Sequence, residues 1–161
     1  MTIKTRLVLD NGCYHITIRG NQRQKVFIRE EDYEKYLEKL KKYKWKYAFR
    51  LYGYCLMPNH IHIIGEADKK ENLAKFMQGI NRAYTAYFNR TYRKVGHLWQ
   101  GRFKSKIVIK DEYLLNTINY VELNPVRANI VRTPQEYRWS SYRERNLGVP
   151  KEEHMLDTLS L

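Results

Sequence analysis

The spacing of apolar residues changes repeatedly between two periods along this chain, and the order of these changes limits the folds that it can adopt. Residues 14–19 alternate apolar and polar side chains, a pattern that is typical of a half-buried strand. Residues 70–90 place apolar side chains three and four positions apart, which predicts an amphipathic helix. Applied to the whole chain, these criteria predict strand 14–19, helix 30–44, strands 49–57 and 60–65, helix 70–90 and strand 103–109.

This order of elements matches the split βαβ arrangement, an α+β fold of the ferredoxin-like type. Such a fold is one antiparallel sheet with two helices on one face, and its other face is open to a ligand or to further helices. A last helix is predicted to begin after Asp111, a suitable N-cap, and to end near Asn124 because Pro125 follows. We expect one domain over residues 1–145 and a peripheral C-terminal tail over residues 146–161.

The excess of basic residues limits what the protein can act on. Lys and Arg number 30 against 17 acidic residues, which gives a formal charge of +13. A neutral small substrate needs no such charge, so the expected partner is nucleic acid or an anionic membrane. No basic amphipathic helix with a clean apolar face is seen, and the longest uncharged stretch, residues 51–65, is too short to span a bilayer. The composition therefore favours nucleic acid.

The cysteines and the N-terminus indicate the compartment. Cys13 and Cys55 are the two cysteines, and neither belongs to a CxxC pair, so no disulfide framework or zinc knuckle is indicated. Residues 1–10 contain charges and no apolar run followed by a cleavage site, so they do not resemble a signal peptide. We expect a cytosolic protein with reduced thiols.

Two histidines are the first candidates for chemistry. His60 and His62 are two positions apart on a predicted strand, so their side chains leave the same face, about 6.5 Å apart along the strand. Two imidazoles at this spacing can share one cation. Ile61 and Ile63 point to the opposite face and would anchor the strand in the core. The residues alone leave a second interpretation open, that of two ordinary histidines on a surface strand.

A polar stripe on the last predicted helix is the second candidate. Tyr113, Thr117, Tyr120 and Asn124 follow one another at helical spacing, and the opposite side of the helix is apolar. The amide oxygen of Asn124 could be a third metal ligand, and the hydroxyl of Tyr120 could attack a phosphate held beside it. Spacing alone favours a second interpretation, in which Tyr120 is a half-buried amphipathic side chain and Asn124 caps the helix end before Pro125.

Several segments carry a resemblance to a known family. Residues 56–64, Leu-Met-Pro-Asn-His-Ile-His-Ile-Ile, resemble the histidine-hydrophobic-histidine motif of the single-tyrosine HUH transposases. The segments that are similar to their branch of REP-associated tyrosine transposases are residues 84–89, 96–103, 120–128 and 139–142. The resemblance runs in the right order from Tyr14 to Tyr142, which makes it far more specific than the histidine motif alone.

The resemblance implies a fold and a mechanism. The implied fold is the ferredoxin-like sheet with the tyrosine helix appended at its C-terminal end, so that residues 1–145 would be one HUH transposase domain. In the family, two histidines and a polar residue one helical turn beyond the tyrosine bind Mg²⁺ or Mn²⁺; here these would be His60, His62 and Asn124. In relatives the third ligand can be Gln, which is one methylene longer than Asn. Tyr120 would attack a phosphate of single-stranded DNA and leave a 5′-phosphotyrosine link and a free 3′-hydroxyl.

The resemblance also implies a DNA partner, namely single strands folded into imperfect hairpins, in the cytoplasm of a bacterium and associated with its nucleoid. Phosphate contacts and base stacking should hold such DNA. The candidate DNA-binding residues are Arg19, Asn21, Arg82, Trp99, Arg102, Lys104 and Arg127. The protein would act as a monomer or as a homodimer.

Two other functions fit parts of the pattern. A ferredoxin-like sheet with basic and aromatic residues also describes nucleic-acid-binding modules without chemistry. A His-x-His motif also occurs in small-molecule metalloenzymes with a β-barrel, but the helical stripes here argue against a barrel. If Tyr120 is not the nucleophile, Tyr113 and Tyr84 are the next candidates.

Overall fold

A four-stranded antiparallel sheet with two long helices on one face forms the centre of the protein. The computed structural model describes residues 7–159. Its first elements are β1 (Gly12–Arg19), α1 (Glu30–Lys46), β2 (Phe49–Met57), β3 (His60–Ala67), α2 (Lys70–Tyr92) and β4 (Lys104–Ile107). The strand order is β2-β3-β1-β4, and every neighbouring pair is antiparallel. This topology confirms the predicted ferredoxin-like fold.

The end of the sheet at β4 differs from the prediction. β4 has four residues, although residues 103–109 were all expected to be extended. Its side chains are largely exposed because it is an edge strand, and pairing with β1 ends where Val108 turns inward and donates its N–H to the carbonyl of Cys13. Asp111 does not cap the next helix with its side chain; it has a φ of 92° and connects the sheet to that helix.

The α1–α2 layer is held to the sheet by large apolar and aromatic side chains. Tyr36 and Leu40 of α1 are fully buried. The ring of Phe76 on α2 stacks on Phe49 of β2 with a centroid distance of 4.0 Å. The buried residues of α2 are Leu73, Phe76, Met77, Ile80, Tyr84 and Phe88. They belong to the predicted apolar stripe, whose remaining member, Tyr87, is only partly buried.

Three further α-helices follow β4 in the chain. They are α3 (Glu112–Glu122), α4 (Asn124–Arg127) and α5 (Tyr142–Asn146). Leu114, Ile118 and Val121 are buried, and α3 packs against β2. A β-carbon at Gly53 of β2 would contact Ile118, so α3 covers the sheet face opposite to α1 and α2. The appended helix thus occupies part of the face that was expected to be open to a ligand or to further helices.

The outer edge of β2 is covered by the C-terminal part of the chain. Leu56 donates its N–H to the carbonyl of Trp139, and Ser141 donates its N–H to the carbonyl of Tyr54. The segment predicted to be a peripheral tail follows the same edge. In that segment Asp157 bonds the backbone of Leu51 at both its N–H and its carbonyl. Such coverage leaves fewer free strand-edge groups for pairing with another chain.

Within residues 7–159, no helix is both long and apolar enough to cross a bilayer.

We expect Gly65→Ala to lower the free energy of unfolding by about 2–3 kcal/mol, because overpacking forces neighbouring atoms apart. A β-carbon at Gly65 would overlap the backbone carbonyl of Arg50 and the ring of Phe49. Gly53→Ala is the matched control on the adjacent strand, since the nearest atoms there lie 3.5 Å away. Urea denaturation should show a change within about 1 kcal/mol for the control. Equal losses in the two variants would contradict the steric explanation.

Candidate active site

The two histidines of β3 lie on the sheet face that α3 partly covers. His60 and His62 point to this face, while Ile61 and Ile63 are buried on the other, as strand periodicity predicts. The two imidazole rings are nearly perpendicular, with centroids 5.1 Å apart. His62 is only 7% exposed, and His60 is half-buried.

Each of these histidines has its Nδ1 atom occupied by a neighbour. Nδ1 of His60 lies 2.7 Å from Oδ1 of Asn59, to which it donates a hydrogen bond. Nδ1 of His62 lies 2.9 Å from Nε2 of His15 on β1. The remaining nitrogen of His62, Nε2, lies 2.8 Å from the amide nitrogen of Asn124. Asn124, the first residue of α4, therefore contacts the histidine motif directly.

Electrostatics keep these imidazoles neutral. Burial, followed by the charges of His15 and His60, lowers the pKa of His62 to about 3. Burial and then Arg19 lower the pKa of His60, and burial and then Lys106 lower that of His15. A neutral ring nitrogen is the form that binds a metal ion, so the site does not need to lose protons first.

The donor atoms fit a divalent cation. Within the described part of the chain, no group of three or more His, Cys, Asp or Glu side chains is arranged to hold a metal. A cation at His60 and His62 therefore needs a donor of another kind, and the amide of Asn124 is already in contact with His62. Rotation of this amide by 180° places its oxygen where the nitrogen now lies. Two imidazole nitrogens and one amide oxygen suit a borderline or hard cation.

Tyr120 lies one helical turn before Asn124 and is half exposed. The guanidinium carbon of Arg127 is 3.9 Å from the centroid of its ring, and Arg127 also donates to the backbone carbonyl of Tyr120. This contact holds a positive charge against the phenol face. The other tyrosines named as candidates differ. Tyr84 is fully buried and donates its hydroxyl to the carbonyl of Val26, whereas Tyr113 is exposed but lies two turns earlier on α3.

An ion pair with a buried carboxylate holds the helix that carries Tyr120. The carboxylate of Glu122 is 1% exposed and accepts hydrogen bonds from the hydroxyl of Ser141 at 2.7 Å and from Nε of Arg145 at 2.9 Å. Arg145 also donates to the backbone carbonyl of Tyr52 on β2. Sequence reasoning missed this cluster, because its members are far apart in the chain and each looks like an ordinary surface residue.

The candidate DNA-binding residues lie in different parts of the structure. Arg19, Arg102 and Lys104 line one groove of about 180 Å³. Arg19 is also paired with His60 across β1 and β3. Arg127 lies at Tyr120, as described above. Arg82 is on α2 and lines a different cavity, on the helical side of the sheet. The backbone N–H of Asn21 bonds the carbonyl of Leu98 and holds the neighbouring loop.

Trp99 does not offer the stacking surface that was expected. Its side chain is 9% exposed and packs against Tyr36 and Tyr84 in the core. Burial of a large aromatic ring stabilises the loop more than exposure would, which explains its position. His15, which the alternating pattern of β1 places on the same face as Arg19, lies beside His62 on that face.

Known proteins resemble this chain in sequence and in fold. The model of the family described as IS200-like transposases matches residues 9–124. A protein of Haemophilus influenzae that bears the name of a REP-associated tyrosine transposase is 27% identical over 142 residues, which cover 81% of this chain and 80% of the relative.

Two solved structures share the fold. The structure of a REP-associated tyrosine transposase bound to a REP hairpin has a TM-score of 0.75 at 18% identity, and the match covers 100% of this chain and 95% of the other. A transposase structure from Deinococcus radiodurans R1 has a TM-score of 0.50 at 16% identity, over 74% of this chain and 94% of the other.

Proposed function

This chain belongs to the IS200-like transposase family, and we propose that it cleaves and rejoins single-stranded DNA carrying imperfect hairpins, with Tyr120 as the nucleophile. The observation that carries the proposal is the contact between Asn124 and Nε2 of His62, at 2.8 Å. It brings the tyrosine helix and the histidine strand of one chain to a single place. One chain would then supply both the proposed nucleophile and the proposed metal donors.

His60, His62 and Asn124 would hold Mg²⁺ or Mn²⁺. When bound, such a cation neutralises the charge that builds up on the non-bridging phosphate oxygens during the reaction. The protein's own part is to present two neutral imidazoles and an amide on a rigid strand and a helix end. Mn²⁺ should bind more tightly than Mg²⁺, because imidazole nitrogen is a poor match for Mg²⁺.

Tyr120 would perform the covalent step. Its oxygen bonds to the phosphorus as the bond from phosphorus to the 3′ oxygen of the preceding nucleotide breaks. The phenol proton is lost to solvent, and the departing 3′ oxygen takes one up. A phenol is a weak nucleophile until it loses its proton. The guanidinium of Arg127, 3.9 Å from the centroid of the Tyr120 ring, places a positive charge beside the proposed nucleophile. The reaction exchanges one phosphate ester for another, so little free energy is lost. A 3′-hydroxyl can therefore attack the phosphotyrosine and rejoin the strand.

Hairpin DNA is the proposed substrate for two reasons. A relative of the same fold is described in complex with a REP hairpin, and this chain carries a formal charge of +13. Arg19, Arg102 and Lys104 line a basic groove, and Arg19 is paired with His60 across the strands. A phosphate backbone bound along this groove would therefore lead towards the site. Chromosomal DNA as substrate would place this activity at the nucleoid of a bacterial cell.

A gel assay with single-stranded hairpin oligonucleotides and Mn²⁺ tests the proposal. The oligonucleotides should include sequences that flank the gene, each labelled at either the 5′ or the 3′ end. With the 3′ label we expect a covalent protein–DNA band on a denaturing gel, and with the 5′ label only a shortened fragment. Chelation of Mn²⁺ should abolish both. Tight, salt-dependent binding with no cleavage of any oligonucleotide would instead favour a nucleic-acid-binding module without chemistry.

Asn124→Ala should weaken Mn²⁺ binding by roughly 10-fold or more, because it removes one of three proposed donors. Asn124→Gln keeps an amide oxygen on a longer side chain and should recover part of the affinity. Mn²⁺ titration followed by the electron paramagnetic resonance signal of the free ion measures both variants without DNA. Unchanged Mn²⁺ affinity in the alanine variant would remove Asn124 from the set of ligands.

A further inference from the structure

His15 contacts the histidine motif from the neighbouring strand. It lies on β1, and its ring stacks on that of His62 with centroids 5.1 Å apart and an angle of 28°. Its Nε2 atom is 2.9 Å from Nδ1 of His62. The antiparallel register, which pairs Thr17 with His62, brings the two rings together across the strands. The contact is thus built into the sheet.

The hydrogen bonds of His62 determine where its proton lies. The amide nitrogen of Asn124 has only N–H groups to offer, so Nε2 of His62 must accept with its lone pair. A neutral imidazole has one N–H, which therefore lies on Nδ1. Nδ1–H points to Nε2 of His15 and donates to it. His60 has the same arrangement, since its Nδ1–H donates to the side-chain oxygen of Asn59.

We propose that His15 is a positioning residue, which accepts the hydrogen bond from Nδ1 of His62 and so keeps the Nε2 lone pair of His62 turned towards the metal ligands His60 and Asn124. The proposal rests on the proposed metal site. A second group that holds the far nitrogen of a ligating histidine fixes the tautomer and orientation of the ring. His15 is not itself a ligand in this arrangement, because its Nε2 faces the Nδ1 side of His62, away from Nε2.

Two substitutions distinguish the role of His15 as a hydrogen-bond acceptor from the role of its size. His15→Phe keeps a flat ring of similar size and removes the acceptor, whereas His15→Gln offers an amide oxygen in its place. In the metal-free wild type, long-range ¹H–¹⁵N correlation spectra should show His62 as the Nδ1–H tautomer. We expect His15→Gln to keep this tautomer and His15→Phe to lose it. Mn²⁺ affinity should fall by about 10- to 100-fold in His15→Phe and by much less in His15→Gln.

Three results would overturn the proposal. The first is a wild-type His62 that carries its proton on Nε2, a measurement that needs no variant. The second is a folded His15→Phe protein that binds Mn²⁺ as tightly as the wild type. The third is the loss of one histidine nitrogen from bound Mn²⁺ in His15→Phe, counted by electron spin-echo modulation, since this would make His15 a ligand. None of these measurements uses DNA, so a failure to cleave hairpins would count against the proposed function alone.

Discussion

Tyr120→Phe is expected to abolish DNA cleavage, by about 10³-fold or more, while hairpin binding stays within a few-fold of the wild type. The substitution removes one oxygen, which is the atom proposed to attack the phosphate. The ring remains, so its contact with the guanidinium of Arg127 and the packing of α3 should persist. Single-turnover cleavage of a labelled hairpin with Mn²⁺, beside a binding titration of the same DNA, measures the two properties separately.

Tyr113→Phe is the matched control for this result. Tyr113 is on the same helix and is 63% exposed against 53% for Tyr120, so loss of a hydroxyl should cost little stability at either position. Tyr113 lies two turns earlier, without the contact to Arg127. We expect this variant to keep the covalent adduct. An adduct that survives in Tyr120→Phe and disappears in Tyr113→Phe would move the nucleophile to Tyr113.

Glu122→Ala is expected to lower the free energy of unfolding by about 2–4 kcal/mol, because the hydroxyl of Ser141 and the guanidinium of Arg145, which is only 23% exposed, lose their carboxylate partner. Glu122 joins α3 to Ser141 and Arg145, and Arg145 reaches the backbone of β2. The loss should therefore loosen the helix between Tyr120 and Asn124 and reduce cleavage as well. Urea denaturation monitored by circular dichroism gives the stability of each variant.

Glu34→Ala is the control for the buried ion pair. Glu34 and Arg138 form an ion pair at 3.4 Å, but their side chains are 54% and 53% exposed. An exposed pair contributes about 0–1 kcal/mol, so this variant should stay close to the wild type. Glu122→Ala combined with Arg145→Ala should be less destabilised than the sum of the single variants, since neither charge is then left alone. Strict additivity, or equal losses at Glu34 and Glu122, would contradict the buried-pair explanation.

Periodicity was sufficient to predict the sheet and its helices. The side chains of a strand alternate between faces whatever the strand packs against, so the common face of His60 and His62 followed from their spacing. The apolar stripe of α2 likewise predicted which of its residues are buried. Prediction was weaker where packing competes with local pattern, as at β4, which is shorter than its sequence suggests, and at Trp99, which lies in the core.

The sequence by itself determined the fold class, the family and the face of the sheet on which His60 and His62 lie, because these depend on local spacing and on motifs in order. Only the tertiary structure decided which residues meet them there. The contact of Asn124 with His62 requires α3 to dock across β2, and that of His15 with His62 requires one particular register between β1 and β3. Each contact joins residues 47 or more positions apart. Such contacts are set by the packing of the whole chain, which no local pattern records.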